Sequence, residues 1–597
     1  MKTPYTLHLL LLLLLLLPPT YAAAQENQTY ITHTVLRGQT LYGIATMYHV
    51  SQSDIVNLNP GADRLLREGQ TLRIPISERA NTTPTYHTIV RGETLYGLCR
   101  QYHLTATQLC AANPGLSATN FRAGQVILIP PTAADTTTAT TADTTPTHSP
   151  TDCRTTHTVR RRETIYSLCR QYQITQAQLI AANPQLQNGK LQRGTTLCIP
   201  YTDATTTQTH ADTDATTDTP TTDEQLWQQV DATRHTTVTT LRIAVLLPLL
   251  PQDAQAGQSA RMIEYYEGLL LAVDSLKRQG LSVDITTYSL AAGNEPLGDI
   301  LTQADMQDRN LIFGPMDPNQ IPALAAHATR TGARLIIPFT SRDNTVFTNP
   351  NIYQINTPQS YLYTEVYDHF LRQFPDEKII FITADDEPDA KADFISGLQA
   401  ELTRVGRTWN TVDDDDDFEQ IALTADTLGN NLFIPTSGSN LTLIKILPQL
   451  TLLVRNKHQM TLKLFGYPEW QTYTADHIDT YFEVDTYFYT SFYTNDLLPA
   501  ARQFTRNYRH WYGHDMEDRY PRYGMLGFDT AYYFLKQLAT YADNLEQHVD
   551  NNNNITPIQT GFKFQRVNNW GGFINRKVFF VHFGNDYVLT KLDFDQP

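Results

Sequence analysis

His87-Thr-Ile-Val-Arg-Gly-Glu-Thr-Leu-Tyr96 is written three times in this 597-residue chain. His33-Thr-Val-Leu-Arg-Gly-Gln-Thr-Leu-Tyr42 precedes it, and His157-Thr-Val-Arg-Arg-Arg-Glu-Thr-Ile-Tyr166 follows. Each copy runs on to an Asn-Pro pair (Asn59-Pro60, Asn113-Pro114, Asn183-Pro184) and closes on Ile-Pro (Ile74-Pro75, Ile129-Pro130, Ile199-Pro200). Such recurrence marks a repeated folding unit. Each unit reads strand, helix, helix, strand. Thr34-Val35 opens a strand, Gly38 permits the turn after it, and Thr40 caps a helix with Leu41, Ile44, Ala45 and Tyr48 on one face. The second helix begins on a capping-box pattern in every copy: Ser51-x-x-Asp54, Thr105-x-x-Gln108 and Thr175-x-x-Gln178. Asn-Pro ends that helix, and a Gly-led strand returns to pair with the first.

These landmarks resemble the LysM module, a βααβ unit that binds peptidoglycan and chitin, over 33–75, 87–130 and 157–200. The resemblance implies a shallow groove for N-acetylated glycan, between the first loop and the loop after the second helix. Carried onto this chain, the groove uses Gly38, Gln39, Thr40, Leu41, Asn59 and Pro60 in repeat one. Repeat two offers Gly92, Glu93, Thr94, Leu95, Asn113 and Pro114, and repeat three Glu163, Thr164, Ile165, Asn183 and Pro184. Capping by the Thr and Asn residues is an equal alternative to ligand contact. Arg162 stands where the other copies have Gly, and a Cβ there opposes a turn at positive φ. Repeat three is therefore expected to be structural or a weak binder.

The acidic balance, −16 overall, disfavours nucleic acid and anionic lipid as general partners. Lys2, the apolar run Leu9 to Leu17 and Ala22-Ala23-Ala24 read as a signal peptide over 1–24, which predicts an exported protein with no membrane span. Of the five cysteines, Cys99 and Cys110 read as small buried hydrophobes or as a bridge between two helices. Cys153 and Cys198 can staple the ends of the third repeat. The Thr- and Asp-rich tracts 131–156 and 201–238 read as linkers, too poor in large apolar residues to fold alone.

From Leu241 the pattern alternates strand and helix, which implies parallel sheets. Ile243 to Leu247 is apolar throughout, as a strand buried on both faces requires. Leu311-Ile-Phe-Gly-Pro315, Leu335-Ile-Ile-Pro-Phe-Thr-Ser341, Tyr353-Gln-Ile-Asn-Thr-Pro358 and Gly571-Gly-Phe-Ile-Asn575 resemble the type 1 periplasmic-binding-protein fold over 241–597. That resemblance implies a two-lobed α/β domain, with most of 241–355 and 495–545 in lobe one, most of 358–492 and 558–597 in lobe two, and ligand between them. Cleft candidates at strand carboxyl ends are Gly314, Pro315, Met316, Thr340, Ser341 and Arg342, with Tyr467 and Glu469 from lobe two. Amino-acid-binding members place a Ser or Thr soon after the Gly-Pro loop, whereas Met316-Asp317-Pro318 stands here.

His510-x-x-x-His514 has helical metal-pair spacing without a third ligand, and Asp413 to Asp417 reads as a solvated charge run. No metal, cofactor or catalytic motif is expected. The chain reads as a non-catalytic peptidoglycan-binding protein of the periplasm or cell envelope. Its C-terminal domain would regulate a wall synthase or hydrolase, a division that resembles the lipoprotein activators of peptidoglycan synthases. The alternatives are a solute-binding receptor, for an amino acid or other small molecule, retained at the wall, and a peptidoglycan hydrolase.

Overall fold

The structure, a computed structural model, describes residues 30–130 and 240–595 with short gaps at 37–38, 64–65, 76–84, 256, 294, 385–389, 415–417, 427, 457–459, 497 and 550–554. Between those spans it describes 153–159, 195–200 and Leu179, Ala182, Asn183, Asp223, Leu226 and Trp227. The expected signal peptide lies outside the described residues. Two compact units emerge: Met1–Thr132 with Pro220–Pro597, and Ala133–Thr219.

In the first unit, repeat one comprises β1 (Tyr30–Thr34), α1 (Leu41–Met47), α2 (Gln52–Leu58) and β2 (Thr71–Pro75). Repeat two comprises β3 (Thr85–Thr88), α3 (Leu95–Gln101), α4 (Ala106–Ala112) and β4 (Val126–Ile129). The two strands of each repeat pair antiparallel. Capping decides where the helices start. Thr40 and Thr94 accept the Gly43 and Gly97 N–H groups, while Ser51 with Asp54 and Thr105 with Gln108 close the expected boxes. The second unit holds repeat three, where β5 (Cys153–Thr158) and β6 (Thr196–Pro200) pair antiparallel. Thr175 and Gln178 fall outside the described residues.

The C-terminal domain has two seven-stranded sheets among the described residues. In lobe one, β7 (Leu241–Leu247) lies between β8 (Val283–Ser289) and β9 (Leu311–Phe313), followed by β10 (Arg334–Ile337) and β11 (Ile352–Gln354), all parallel. In lobe two, β12 (Lys378–Thr383) lies between β13 (Trp409–Asp413) and β14 (Asn430–Pro435), followed by β15 (Thr461–Gly466) and β16 (Thr486–Thr490). Both sheets thus run in the order 2-1-3-4-5, which opens a crevice where the order reverses. Helices cover both faces, so the inner strands are buried nearly throughout, while the edge strands β8 and β13 are only partly covered.

The chain crosses between lobes three times, near 355–358, 491–498 and 576–578. The last crossing divides 558–597 between the two lobes. A hairpin of β17 (Phe564–Arg566) and β18 (Phe573–Asn575) extends lobe one, with β18 parallel to β11. Phe573 stacks on Tyr353 at 4.7 Å, which fixes that register. Only β19 (Phe579–Phe583) and β20 (Leu589–Leu592) join lobe two, antiparallel at the β16 edge.

Repeats one and two do not hang free of this domain. Val35, Ile44, Tyr48, Leu72 and Ile74 of repeat one share a core cluster with Ile312, Leu335, Phe347 and Trp570 of the C-terminal domain. Trp570, at the tip of the β17–β18 hairpin, sits 6.0 Å from the Tyr48 ring and 5.2 Å from the Tyr86 ring.

Candidate functional site

One polar latch recurs in all three repeats. Asn113 Nδ2 donates to the carbonyls of Leu109 (2.8 Å) and Leu128 (2.7 Å), while its Oδ1 accepts the Leu128 N–H (2.8 Å). Asn59 repeats this with Ile55 and Arg73, and Asn183 with Leu179 and Cys198. The second helix is thereby bolted to the returning strand. Asn113 is fully buried and Asn183 nearly so. The asparagine side chains of repeats two and three therefore face inward.

The first loop has its own lock. Gln39 Oε1 accepts from Leu36 N–H (2.9 Å) and bonds His33 Nε2 (2.8 Å). Glu93 Oε2 does the same with Val90 N–H and His87 Nε2, both at 2.8 Å. Burial holds the His33 imidazole down at about 4, against the weaker pull of the Gln39 hydrogen bond. Gly92 adopts φ +94° in an exposed turn, a conformation that glycine takes without strain. Thr40 and Thr94 cap, Leu41 packs on the shared core, and Leu95 is buried in repeat two. Gly38, Glu163, Thr164, Ile165 and Pro184 lie outside the described residues, as does Arg162.

The same surfaces carry contacts within the chain. Gln39 Nε2 donates to the Val567 carbonyl at 3.0 Å, and Asn344 Nδ2 donates to Tyr42 Oη at 2.7 Å. A Cβ on Gly43 would fall within contact of Tyr361 and Phe347. The start of α1 therefore faces the C-terminal domain. Repeat two is tied there by Gly115 N–H to the Asn569 carbonyl (2.8 Å) and by Asn569 Nδ2 to Gln125 and Val126 (2.9 Å each). Pro114 lines a cavity of about 880 Å³ that Arg334, Glu546 and Arg566 of lobe one also border.

Sequence reasoning missed one partner altogether. Asp223 and Trp227, inside the tract read as an unfolded linker, pack on repeat two. The two Asp223 carboxylate oxygens accept the Leu95 and Tyr96 N–H groups at 2.9 Å each. Trp227 is 7% exposed and meets the Phe121 ring edge-on at 6.0 Å. Leu226-Trp227 was the legible signal, a large apolar pair in a tract otherwise of Thr, Asp and Ala.

The cleft candidates divide by role. Gly314 takes φ +121°, and a Cβ there would meet the Leu246 carbonyl at 2.2 Å, so this loop requires glycine. Pro315 is buried, Thr340 Oγ1 accepts the Arg342 N–H at 3.1 Å, Ser341 is half-buried, and the Arg342 side chain is exposed. Tyr467 is a core residue rather than a lining residue, for it is fully buried and donates to the Pro435 carbonyl at 2.6 Å. Glu469 pairs with Lys391 at 2.5 Å, and that ammonium also lies 4.6 Å from the centre of the Tyr467 ring. Met316 is half-buried, and Asp317 caps the turn behind it through Asn319 N–H (3.0 Å) while holding Gly293 N–H (3.1 Å).

Cys99 and Cys110 remain thiols in the repeat-two core, and burial pushes Cys99 up to about 11, with Asp223 adding to the rise. Cys198 is disulfide-bonded, while the side chain of Cys153 lies outside the described set. The acidic run is not wholly solvated: the Asp414 side chain is buried against Lys445 Nζ at 3.2 Å, and 415–417 lie outside the described residues. His514 reaches Glu267 at 3.4 Å. Among the described residues, no helix is long and apolar enough to cross a membrane.

Residues 33–75, 87–130 and 157–200 match the LysM domain family. An N-acetylmuramoyl-L-alanine amidase of Haemophilus influenzae, AmiB, is 24% identical over 136 residues, 16% of this chain and 32% of that protein. The secreted LysM effector ECP6 of Passalora fulva is 26% identical over 112 residues, 18% of this chain and 49% of that one. The chain spans half or less of these relatives' length. A crystal structure described as a branched-chain amino-acid ABC transporter of Rhodospirillum rubrum is 13% identical, with 59% of this chain and 100% of that chain covered and a TM-score of 0.42. Three LysM modules thus stand ahead of a two-lobed α/β domain whose sheets both run in the order 2-1-3-4-5.

Proposed function

We propose that this chain is a non-catalytic, exported protein of the cell envelope that grips the N-acetylated glycan of peptidoglycan. In this reading the two-lobed domain is presented to a wall synthase or hydrolase. The observation that carries it is the threefold match to the LysM domain, over 33–75, 87–130 and 157–200. A single small module binds weakly, and tandem modules raise the effective concentration for each later contact. Contact falls to the backbone around Gly92, to Pro60 and Pro114, and to Glu163, Thr164, Ile165 and Pro184 of the third copy.

The partner role of the C-terminal domain is supported by how lobe two uses its polar groups. Lys391, Glu469 and Tyr467 satisfy one another, which leaves little free charge from these residues to grip a small zwitterion. No cofactor is called for.

Sedimentation of the full chain with purified sacculi tests the wall reading: the chain should pellet and be released by soluble N-acetylglucosamine oligomers, and a chain that stays in the supernatant would refute it. A thermal-shift screen with a metabolite pool tests the domain, since a bound solute raises the midpoint by mass action. A large shift would replace the partner role with solute binding, and release of soluble wall fragments would replace it with hydrolysis.

A further inference from the structure

We propose that the segment carrying Asp223 and Trp227 is an internal occupant of the repeat-two groove, which external glycan must displace. This rests on the glycan-binding reading above, and it adds a regulatory contact to it.

The segment returns to repeat two from beyond the third repeat and bridges the two loops that flank the groove. Asp223 holds Leu95 and Tyr96, the residues directly after the Gly92-Glu93-Thr94 loop. Trp227 covers Phe121, in the loop between α4 and β4. Leu226 packs on the same cluster, which also contains Leu95, Leu98, Leu109 and Leu116. Leu95 opens the helix after the first loop, and Leu116 and Phe121 lie in the second.

The chemistry of the occupant matches that of the ligand. An N-acetylated sugar offers a carbonyl oxygen that accepts from backbone N–H groups, and an apolar methyl and ring face that lie on aromatic carbon. Asp223 supplies acceptor oxygens to two backbone N–H groups, and Trp227 supplies the apolar plane. Thr94 already serves Gly97 N–H, so Asp223 answers a different pair of donors at the same helix start. Both elements cannot be held by the segment and by a glycan at once. The segment belongs to the same chain, so it competes at a high effective concentration, and apparent glycan affinity scales with the fraction of molecules in which it is lifted.

The test uses the full chain, the N-acetylglucosamine tetramer as probe, and calorimetry with amide exchange over 95–98 as readouts. Asp223→Ala removes the acceptors and leaves the Trp227 packing in place. It should bind the tetramer about tenfold tighter, a change of ~1.4 kcal/mol, and expose the Leu95 and Tyr96 amides to faster exchange until the tetramer restores protection. Asp223→Asn keeps the shape and one acceptor and should fall between, which guards against a folding defect in the alanine variant. Equal affinity in wild type and Asp223→Ala overturns the proposal and leaves wall binding standing. Weaker binding by the variant also overturns it, because the segment would then be part of the site. If neither protein binds the tetramer, the proposal falls, and sacculus sedimentation decides whether the wall reading falls with it.

Discussion

Trp570→Ala should loosen repeats one and two from the C-terminal domain while both lobes stay folded. Trp570 is 4% exposed at the hairpin tip and touches Tyr48 and Tyr86, one from each repeat. Truncating a buried tryptophan costs about 3–5 kcal/mol. Its indole Nε1 has no hydrogen-bond partner, however, and removing such an orphaned donor returns ~1–3 kcal/mol. The net loss is then about 2 kcal/mol, and at ~2–4 °C per kcal/mol the first calorimetric transition should drop by roughly 4–8 °C. Trp570→Phe retains the aromatic plane and deletes the orphaned donor, so it should lie much closer to wild type. Amide exchange should localise the loss to both repeats and the hairpin, with β12 to β16 unchanged. A Trp570→Ala endotherm within a degree of wild type, with the repeats still protected, would refute the shared core.

Three further outcomes follow from the latches and the buried imidazoles. Asn113→Ala leaves the half-buried Leu128 N–H and C=O without the Asn113 amide, so repeat two should lose about 2 kcal/mol in a urea titration; Pro114→Ala, at a half-buried position, should cost less. Burial holds both His33 and His369 near 4, below the unfolded value of 6.5. The unfolded chain therefore binds more protons between those values, so stability is intact above pH 6.5 and falls as pH drops toward 4, by about 2 kcal/mol for each histidine at pH 5. His369→Leu should flatten that slope in lobe two, and an unchanged midpoint from pH 7 to pH 5 in wild type would contradict it. Gly572→Ala would bring a Cβ within 2.4 Å of the Ile352 carbonyl, so it should destabilise the β11–β18 pairing by ~1–3 kcal/mol, read as faster exchange there.

The repeats were legible because their signals are local. A cap, a capping box and an Asn-Pro stop are set by residues three or four apart, and they hold whatever the chain packs against. The parallel sheets were legible for a related reason: Ile243 to Leu247 and Ile379 to Ile382 are apolar on both faces, and only a covered sheet needs that. What could not be read was which surfaces meet. Tyr48 and Trp570 look like ordinary core residues of their own modules, and nothing in spacing says that they share one cluster. Asn113 was equally compatible with a latch and a ligand contact until β4 was placed opposite it. The return of 558–575 to lobe one hinged on β18 pairing with β11, a long-range choice sealed by Phe573 on Tyr353. Arg162 was the reason to rank repeat three last, yet repeats one and two carry groove contacts that the sequence had no means to display.

Those contacts tie repeats one and two to the C-terminal domain beside the crossing between its lobes. The start of α1 meets Phe347 and Val567 of lobe one, and also Tyr361, which follows the first crossing into lobe two by only a few residues. Burial pushes the Tyr361 hydroxyl well above its usual range, and the group stays neutral at the joint. A module that rests on both sides of a crossing is sensitive to rotation of one lobe on the other, since packed interfaces slide or separate and do not stretch. Repeat two touches the domain through the hairpin loop instead, where Asn569 bonds Gln125 and Val126. Lobe rotation would thus strain the two modules unequally, with repeat one at the crossing and repeat two moving with lobe one. Glycan held by either module would weigh on that equilibrium only by as much as it distinguishes the two lobe arrangements.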